Sequence, residues 1–239
     1  MGVQPTDFAR RSPLYRRLIG LNAEFGELGQ CAIALSAGAS AEEEAALARE
    51  LGIADLYALR RGGYKGWANA EYLAKHGLEA GAATNEASNL AYPQADGSLI
   101  ARLAASEVLI LGNLDGGCAA LDVLEPAWSM EAGVGAYPVP RPDTNGWIAI
   151  TGRHAGALFA KICGVDLRPQ KFANHRVAQT SLARLNSIVV RADLGNTPSY
   201  HLLTDCAATV YMWDCLHDAA AEFAGKPVGL AALRRLVAD

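Results

Sequence analysis

A chain of 239 residues, 51% hydrophobic and 19% charged, has the composition of a folded protein with a sizeable core, which excludes an intrinsically disordered segment. A formal net charge of −4 lacks the basic footprint that binding to nucleic acid or an anionic membrane needs. No apolar run reaches the roughly 18 residues of a membrane span, and residues 1–17 hold no hydrophobic signal core, so the expected location is the cytoplasm.

In chain order, residues 1–22 read as an extended leader in which Arg10, Arg11, Arg16 and Arg17 form a solvated face or a basic arm. Ala23–Leu35 alternates loosely and is expected as a strand. Ser40 caps a helix running to Leu51, with Glu43 at the capping-box position and Gly52 as its stop. A strand over 53–60 is followed by the glycine-rich loop Gly62–Gly66, which carries Tyr64, Lys65 and, just beyond, Trp67. A helix over 68–75 stops at Gly77, and 81–96 is a long irregular loop. Strands over 98–103 and 107–113 form a hairpin, and a helix over 118–124 ends at Pro126. The Gly/Pro-rich stretch 132–143 is the connector between two halves of one domain, about 23–131 and 144–239.

The second half repeats the first. Strand 147–151, helix 154–163, strand 180–185 (or on to 191), strand 200–204 and helix 207–223 follow the same order of elements. Short echoes keep that order: Ser98-Leu99-Ile100-Ala101-Arg102-Leu103 parallels Ser181-Leu182-Ala183-Arg184-Leu185. The expected fold is α+β, a pseudo-symmetric pair of ferredoxin-like βαββα units that bury their apolar faces.

Catalytic signatures are missing. The five cysteines are widely spaced and contain no CxxC pair, and Cys206, Cys215 and His217 have the wrong helical phase for a metal site. His76 reads as a helix-end cap, His154 as exposed, and His201 as a satisfied core histidine. There is no GxSxG, HExxH or P-loop. The candidate ligand or interface residues are Tyr64, Lys65, Trp67 and the strand arginines Arg102 and Arg184, with no catalytic residue and no metal ligand among them.

Several stretches carry a family resemblance. Gln179-Thr180-Ser181-Leu182-Ala183-Arg184-Leu185, Tyr200-His201-Leu202-Leu203-Thr204-Asp205 and Tyr211-Met212-Trp213-Asp214-Cys215-Leu216 resemble the gamma subunit of heterotetrameric sarcosine oxidase. So do Asp55-Leu56 with Gly63-Tyr64-Lys65-Gly66, and Arg102-Leu103 with Ser106-Glu107. That family is in turn similar to the folate-binding domain of the glycine cleavage T-protein, an aminomethyltransferase. The resemblance implies a fold like that domain and residence in a hetero-oligomeric complex, with flavin, NAD and tetrahydrofolate on partner subunits. The implied chemistry is oxidative demethylation of an N-methyl amino acid.

The aminomethyltransferases carry paired aspartates shortly after a glycine, one of which contacts the folate. The matching stretch here, Gly97–Leu103, offers Ile100, Ala101 or Arg102 instead, none of which can hold or protonate a folate nitrogen. The expectation is a non-catalytic subunit of a sarcosine-oxidase-like complex. The alternatives are a stand-alone tetrahydrofolate-binding aminomethyltransferase-like protein and a homo-oligomeric small-metabolite-binding protein.

Overall fold

The structure, a computed structural model, describes residues 2–238 and divides into two units. The first takes residues 2–58, 145–174 and 180–238, and the second residues 59–144 and 175–179.

The N-terminal stretch is not an extended leader. Helix α1 (Tyr15–Ile19) follows a 3-10 turn at Pro5–Asp7, and Leu14 and Leu18 are buried because they supply apolar area to the first unit. Nor is Ala23–Leu35 one strand. Gly29, at φ 59°, turns it into a hairpin of β1 (Glu24–Leu28) and β2 (Cys31–Ser36).

Helix α2 (Ala41–Leu51) has the expected capping box: Glu43 N donates to Ser40 Oγ (3.3 Å) and Ser40 N donates to Glu43 Oε2 (3.0 Å). Gly52 is extended and opens β3 (Gly52–Asp55). A glycine is needed there because a Cβ would stand 2.9 Å from Ala48 Cα. The expected strand 53–60 stops early, since Tyr57 N donates to Asp55 Oδ1 at 3.0 Å and bends the chain.

The glycine-rich loop is instead strand β4 (Arg61–Lys65). Its glycines permit close packing: a Cβ on Gly62 would lie 2.8 Å from the Leu121 side chain, and one on Gly63 2.6 Å from Val108 O. Helix α3 (Asn69–Lys75) follows and stops near Gly77, at φ 72°.

The expected loop 81–96 contains β5 (Leu90–Pro93), which pairs antiparallel with β6 (Leu99–Ala104). The hairpin to β7 (Glu107–Leu111) is as expected. Helix α4 (Ala119–Ala127) runs past the expected end at Leu124 and takes in Pro126, whose missing N–H cannot bond back to residue 122, and it ends one residue later. The connector also pairs: β8 (Tyr137–Pro138) joins β4 at Lys65 and Tyr64.

Strand β9 (Asn145–Thr151) and helix α5 (Ala155–Ile162) come next. The stretch 180–191 is two strands, β10 (Val177–Leu182) and β11 (Leu185–Arg191). Ala183 and Arg184, at φ 45° and 68°, form the two-residue turn between them. Then follow β12 (Ser199–Asp205), α6 (Thr209–Ala220), β13 (Lys226–Pro227) and α7 (Leu230–Val237). Helix α7, absent from the sequence reading, buries Leu230, Leu233 and Leu236.

The first unit carries a six-stranded sheet in the order β10-β11-β12-β9-β3-β13, with β13 parallel to β3. The second carries a five-stranded antiparallel sheet, β5-β6-β7-β4-β8. The fold is therefore α+β with one mixed sheet, one five-stranded antiparallel sheet and the separate β1–β2 hairpin, and each unit contains β-α-β-β-β-α where the sequence suggested β-α-β-β-α. Among the described residues no helix is long and apolar enough to cross a membrane.

Candidate functional site

Strand β4 organises the second unit's polar residues. Side chains alternate across a sheet, so Tyr64 faces one way and Arg61, Gly63 and Lys65 the other. Tyr64 packs into the core with Tyr72 of α3 (ring centroids 5.5 Å apart), Ile100, Val108 and Leu121. Burial, reinforced by Tyr72 and Glu125, pushes its phenol up to about 12, so it stays protonated.

Register places Arg102 in the same transverse row. Arg102 on β6 pairs with Val108 on β7, and Val108 pairs with Tyr64 on β4. Arg102 therefore faces the helices, fully buried. It donates Nε to Ala80 O (2.7 Å), Nη1 to Asn69 Oδ1 (3.0 Å) and Ala105 O (3.1 Å), and Nη2 to Gly81 O (3.2 Å). Among the described residues no carboxylate forms a salt bridge with it, and burial pulls its pKa below the ordinary arginine value. Asn69 is itself fixed by donating Nδ2 to Gly66 O at 2.7 Å. The guanidinium ties the chain after α3 to the β6–β7 hairpin and presents nothing outward.

On the opposite face lies a cluster that sequence reasoning did not assemble. Glu107, at the start of β7, accepts from Lys65 Nζ (3.3 Å) and from Arg141 Nη2 (2.6 Å). Cross-strand pairing of Lys65 with Glu107 explains the first contact. The second depends on the stretch after β8, Val139–Pro142, lying along β4, where Val139 N donates to Gly63 O at 2.8 Å. Arg141 sits between two prolines, which is the signal that was overlooked. Arg61 is buried in the same region and donates Nη1 to Leu59 O (3.1 Å) and Nη2 to Pro142 O. Arg61, Arg141 and the stretch Pro138–Pro142, with Tyr64, Leu121 and Glu125, line a cleft of about 260 Å³, and Lys65 and Glu107 lie outside its lining.

Trp67 lies beyond the end of β4, 74% exposed, with its indole over Gly135, whose added Cβ would stand 2.5 Å from the ring. Tyr64, Lys65, Trp67 and Arg102 thus all belong to the second unit, with Tyr64 and Arg102 in one row of the sheet. Arg184 does not join them. It occupies the β10–β11 turn of the first unit, exposed, so it does not match Arg102 on a strand.

The buried arginine that does lie on a strand of the first unit is Arg191, at the end of β11. It donates to both Asp193 oxygens (2.9 and 2.6 Å) and to Pro169 O (3.1 Å) and Phe172 O (2.6 Å). His201 is the satisfied core histidine expected: Trp147 Nε1 donates to its Nδ1 at 3.1 Å, and burial lowers its pKa to about 4.

Ala101, the neighbour of Arg102, is fully buried on the face opposite the helices and pairs with Leu109. Leu99 and Leu111 share that face by alternation and are also buried.

Two solved structures share this architecture. A heterotetrameric sarcosine oxidase from Corynebacterium sp. U-96, in complex with pyrrole 2-carboxylate, matches at TM-score 0.64 and 20% identity, over 91% of this chain and 97% of the matched chain. The glycine cleavage system aminomethyltransferase T from Bartonella henselae matches at TM-score 0.73 and 16% identity, over 95% of this chain and 62% of that one. The fold is aminomethyltransferase-like. At these identities the likeness is one of fold, and this chain spans less than two thirds of the aminomethyltransferase. No family model matches the chain, and no curated protein matches it in sequence.

Proposed function

We propose that the chain is a non-catalytic, gamma-type subunit of a sarcosine-oxidase-like complex in oxidative N-demethylation and one-carbon metabolism. In this reading flavin, NAD and tetrahydrofolate reside on partner subunits, and the complex is cytoplasmic. The observation that carries it is the pair Ala101–Arg102. An acid that contacts folate would stand in this stretch, yet Ala101 offers a methyl group beside Leu109, and Arg102 points to the helices with its donors committed to Ala80, Gly81, Ala105 and Asn69. Neither side chain can accept a proton from a pterin or hold its ring nitrogen. The residues present do not fit a folate site of the aminomethyltransferase kind. Coverage of 97% of a chain from the sarcosine oxidase supports the same reading.

We also read the two units as copies of one motif. The order β5-β6-β7-β4 corresponds to β10-β11-β12-β9, with α3 and α4 in the places of α5 and α6. The neighbours of the fourth strand, β8 and β3, come from outside each copy.

The test is affinity capture of the tagged chain from its native cell, with flavin fluorescence of the eluate as readout. A flavin-containing partner in fixed ratio is expected, and its absence would sink the complex. The better superposition on aminomethyltransferase T favours a second reading, a tetrahydrofolate-binding protein. Calorimetry of the isolated chain with tetrahydrofolate separates the two. The subunit reading expects no saturable heat, and binding at micromolar ligand would replace it with the second.

A further inference from the structure

We propose that Pro138 and Pro140 close the free edge of the second unit's sheet to strand addition, so that this edge takes no part in self-association. An edge strand presents a row of unpaired N–H and C=O groups onto which another extended chain can add. In the order β5-β6-β7-β4-β8 the two edges are β5 and β8. The β5 edge is covered from within the unit, where Ala91 N donates to His175 O at 2.7 Å and Val177 N to Asn89 O at 2.9 Å. The other edge falls to β8 and the residues that follow it.

Register shows which way the backbone of this strap points. Tyr137 pairs with Lys65 and Pro138 with Tyr64, and Val139 N donates to Gly63 O at 2.8 Å. In an antiparallel strand the N–H and C=O of one residue point to the same side, and the side alternates from residue to residue. Val139 therefore turns its backbone groups to β4, and Pro138 and Pro140 turn theirs away. The bonding of β4 agrees: Gly66 N donates to Ser106 O at 2.8 Å on the β7 side, so Tyr64 also bonds towards β7 and Pro138 lies opposite it unbonded. The two outward positions are thus the two prolines, both exposed. A proline has no N–H to donate, and its ring stands where the hydrogen would be. A strand laid on this edge would meet acceptors only, and Pro140 O already accepts from Thr144 Oγ1 at 3.4 Å.

The surroundings make an open edge here a hazard. Tyr137 is exposed on the strap itself, and Val134 and Trp67, whose indole lies over Gly135, are exposed just ahead of it. Apolar side chains beside an unpaired edge would reinforce whatever strand settled there. A proline in place of Val139 would lose the bond to Gly63. At 138 and 140 the prolines leave the strap's own bonding to β4 intact and remove both outward donors.

The test is sedimentation velocity of the full chain and of a double variant, Pro138→Thr with Pro140→Thr, up to about 1 mM protein. Threonine suits a strand and restores one N–H at each position without adding a large apolar side chain. The variant should keep the wild-type circular dichroism and self-associate at least about tenfold more strongly than the wild type. Amide exchange gives a second readout. The new N–H groups of residues 138 and 140 should exchange freely in dilute protein and become protected as association sets in. Pro138→Thr alone, which restores the donor opposite Tyr64, decides the matter by the same two readouts if the double variant does not fold. Self-association unchanged from the wild type, new amides protected in dilute protein, or association that leaves them unprotected each overturns the proposal. Both readouts use this chain alone, so they are independent of whether a flavoprotein partner is captured.

Discussion

Arg102→Met tests whether the buried guanidinium is a structural tie. Methionine keeps a long apolar stem and removes the charge and all donors. Arg102 makes four hydrogen bonds, at 2.7, 3.0, 3.1 and 3.2 Å. Bonds from a charged donor contribute about 1.5–3 kcal/mol each, or roughly 6–12 kcal/mol together. Against that stands the cost of burying a guanidinium without a carboxylate, several kcal/mol, which the substitution recovers. The acceptors stay behind, however. Ala80 O, Gly81 O, Ala105 O and Asn69 Oδ1 would lose this donor, and each such loss in a buried place costs about 1–3 kcal/mol. The lost bonds win, and a net destabilisation of about 3 kcal/mol is expected for the second unit. Arg102→Lys, with three donors on a point charge and no fork, should recover part of it. Urea unfolding followed by circular dichroism measures the shift in midpoint. Amide hydrogen exchange near residues 80–81 and 105 should show loosening confined to that region. If Arg102→Met unfolds at or above the wild-type midpoint, the tie is not what holds this corner, and Arg102 becomes available for a ligand.

Two further outcomes follow from buried groups of the first unit. Glu44 on α2 is buried and accepts from Ala37 N (2.6 Å), Ala39 N (3.1 Å) and Gly229 N (2.7 Å), so Glu44→Gln, which turns one acceptor into a donor facing an N–H, should cost about 2–4 kcal/mol and lower Tm by about 5–10 °C in calorimetry; an unchanged Tm would show that the N–H groups find water. His201 titrates near 4 when folded against an ordinary 6.5, because burial disfavours the imidazolium. The unfolded chain therefore takes up the proton first. Stability is full above about pH 7 and falls as pH drops from about 6.5 to 4, by up to roughly 3 kcal/mol. Urea midpoints across that range should fall for the wild type and flatten in His201→Gln, and parallel slopes would assign the loss to other groups.

How much of this was legible depended on the kind of signal. The Ser40–Glu43 capping box, the stop at Gly77 and the β6–β7 hairpin are local, and the sequence placed all three. Misreadings came where a residue answers to a distant partner. Gly62 and Gly63 look like a loop, but Leu121 and Val108 are what they make room for. Gly29 and the pair Ala183–Arg184 hide turns inside apolar alternation, and each miss merged two strands into one. The last error also put Arg184 on a strand as the match of Arg102, when Arg191 is the buried strand arginine of the first unit. In the candidate site, Lys65 was singled out without its partner. Glu107 follows from register across β4 and β7, which a pattern reading does not supply, and Arg141 arrives from 34 residues further on.

The buried charges differ in what they are spent on. Glu44 is satisfied by main-chain N–H groups, Arg102 by carbonyls and an amide, and Arg191 by Asp193 and two carbonyls. Each closes a loop onto a helix or strand, and each is complete without a ligand. Arg141 is of another kind. It shares a single carboxylate with Lys65, keeps an enclosed N–H without a partner, and stands at the wall of a cleft. Its enclosed N–H costs stability when the chain folds, as do the unpartnered buried Thr204 Oγ1 and His217 Nε2 of the first unit, so an unsatisfied polar atom by itself separates chemistry from shape no better than a satisfied one.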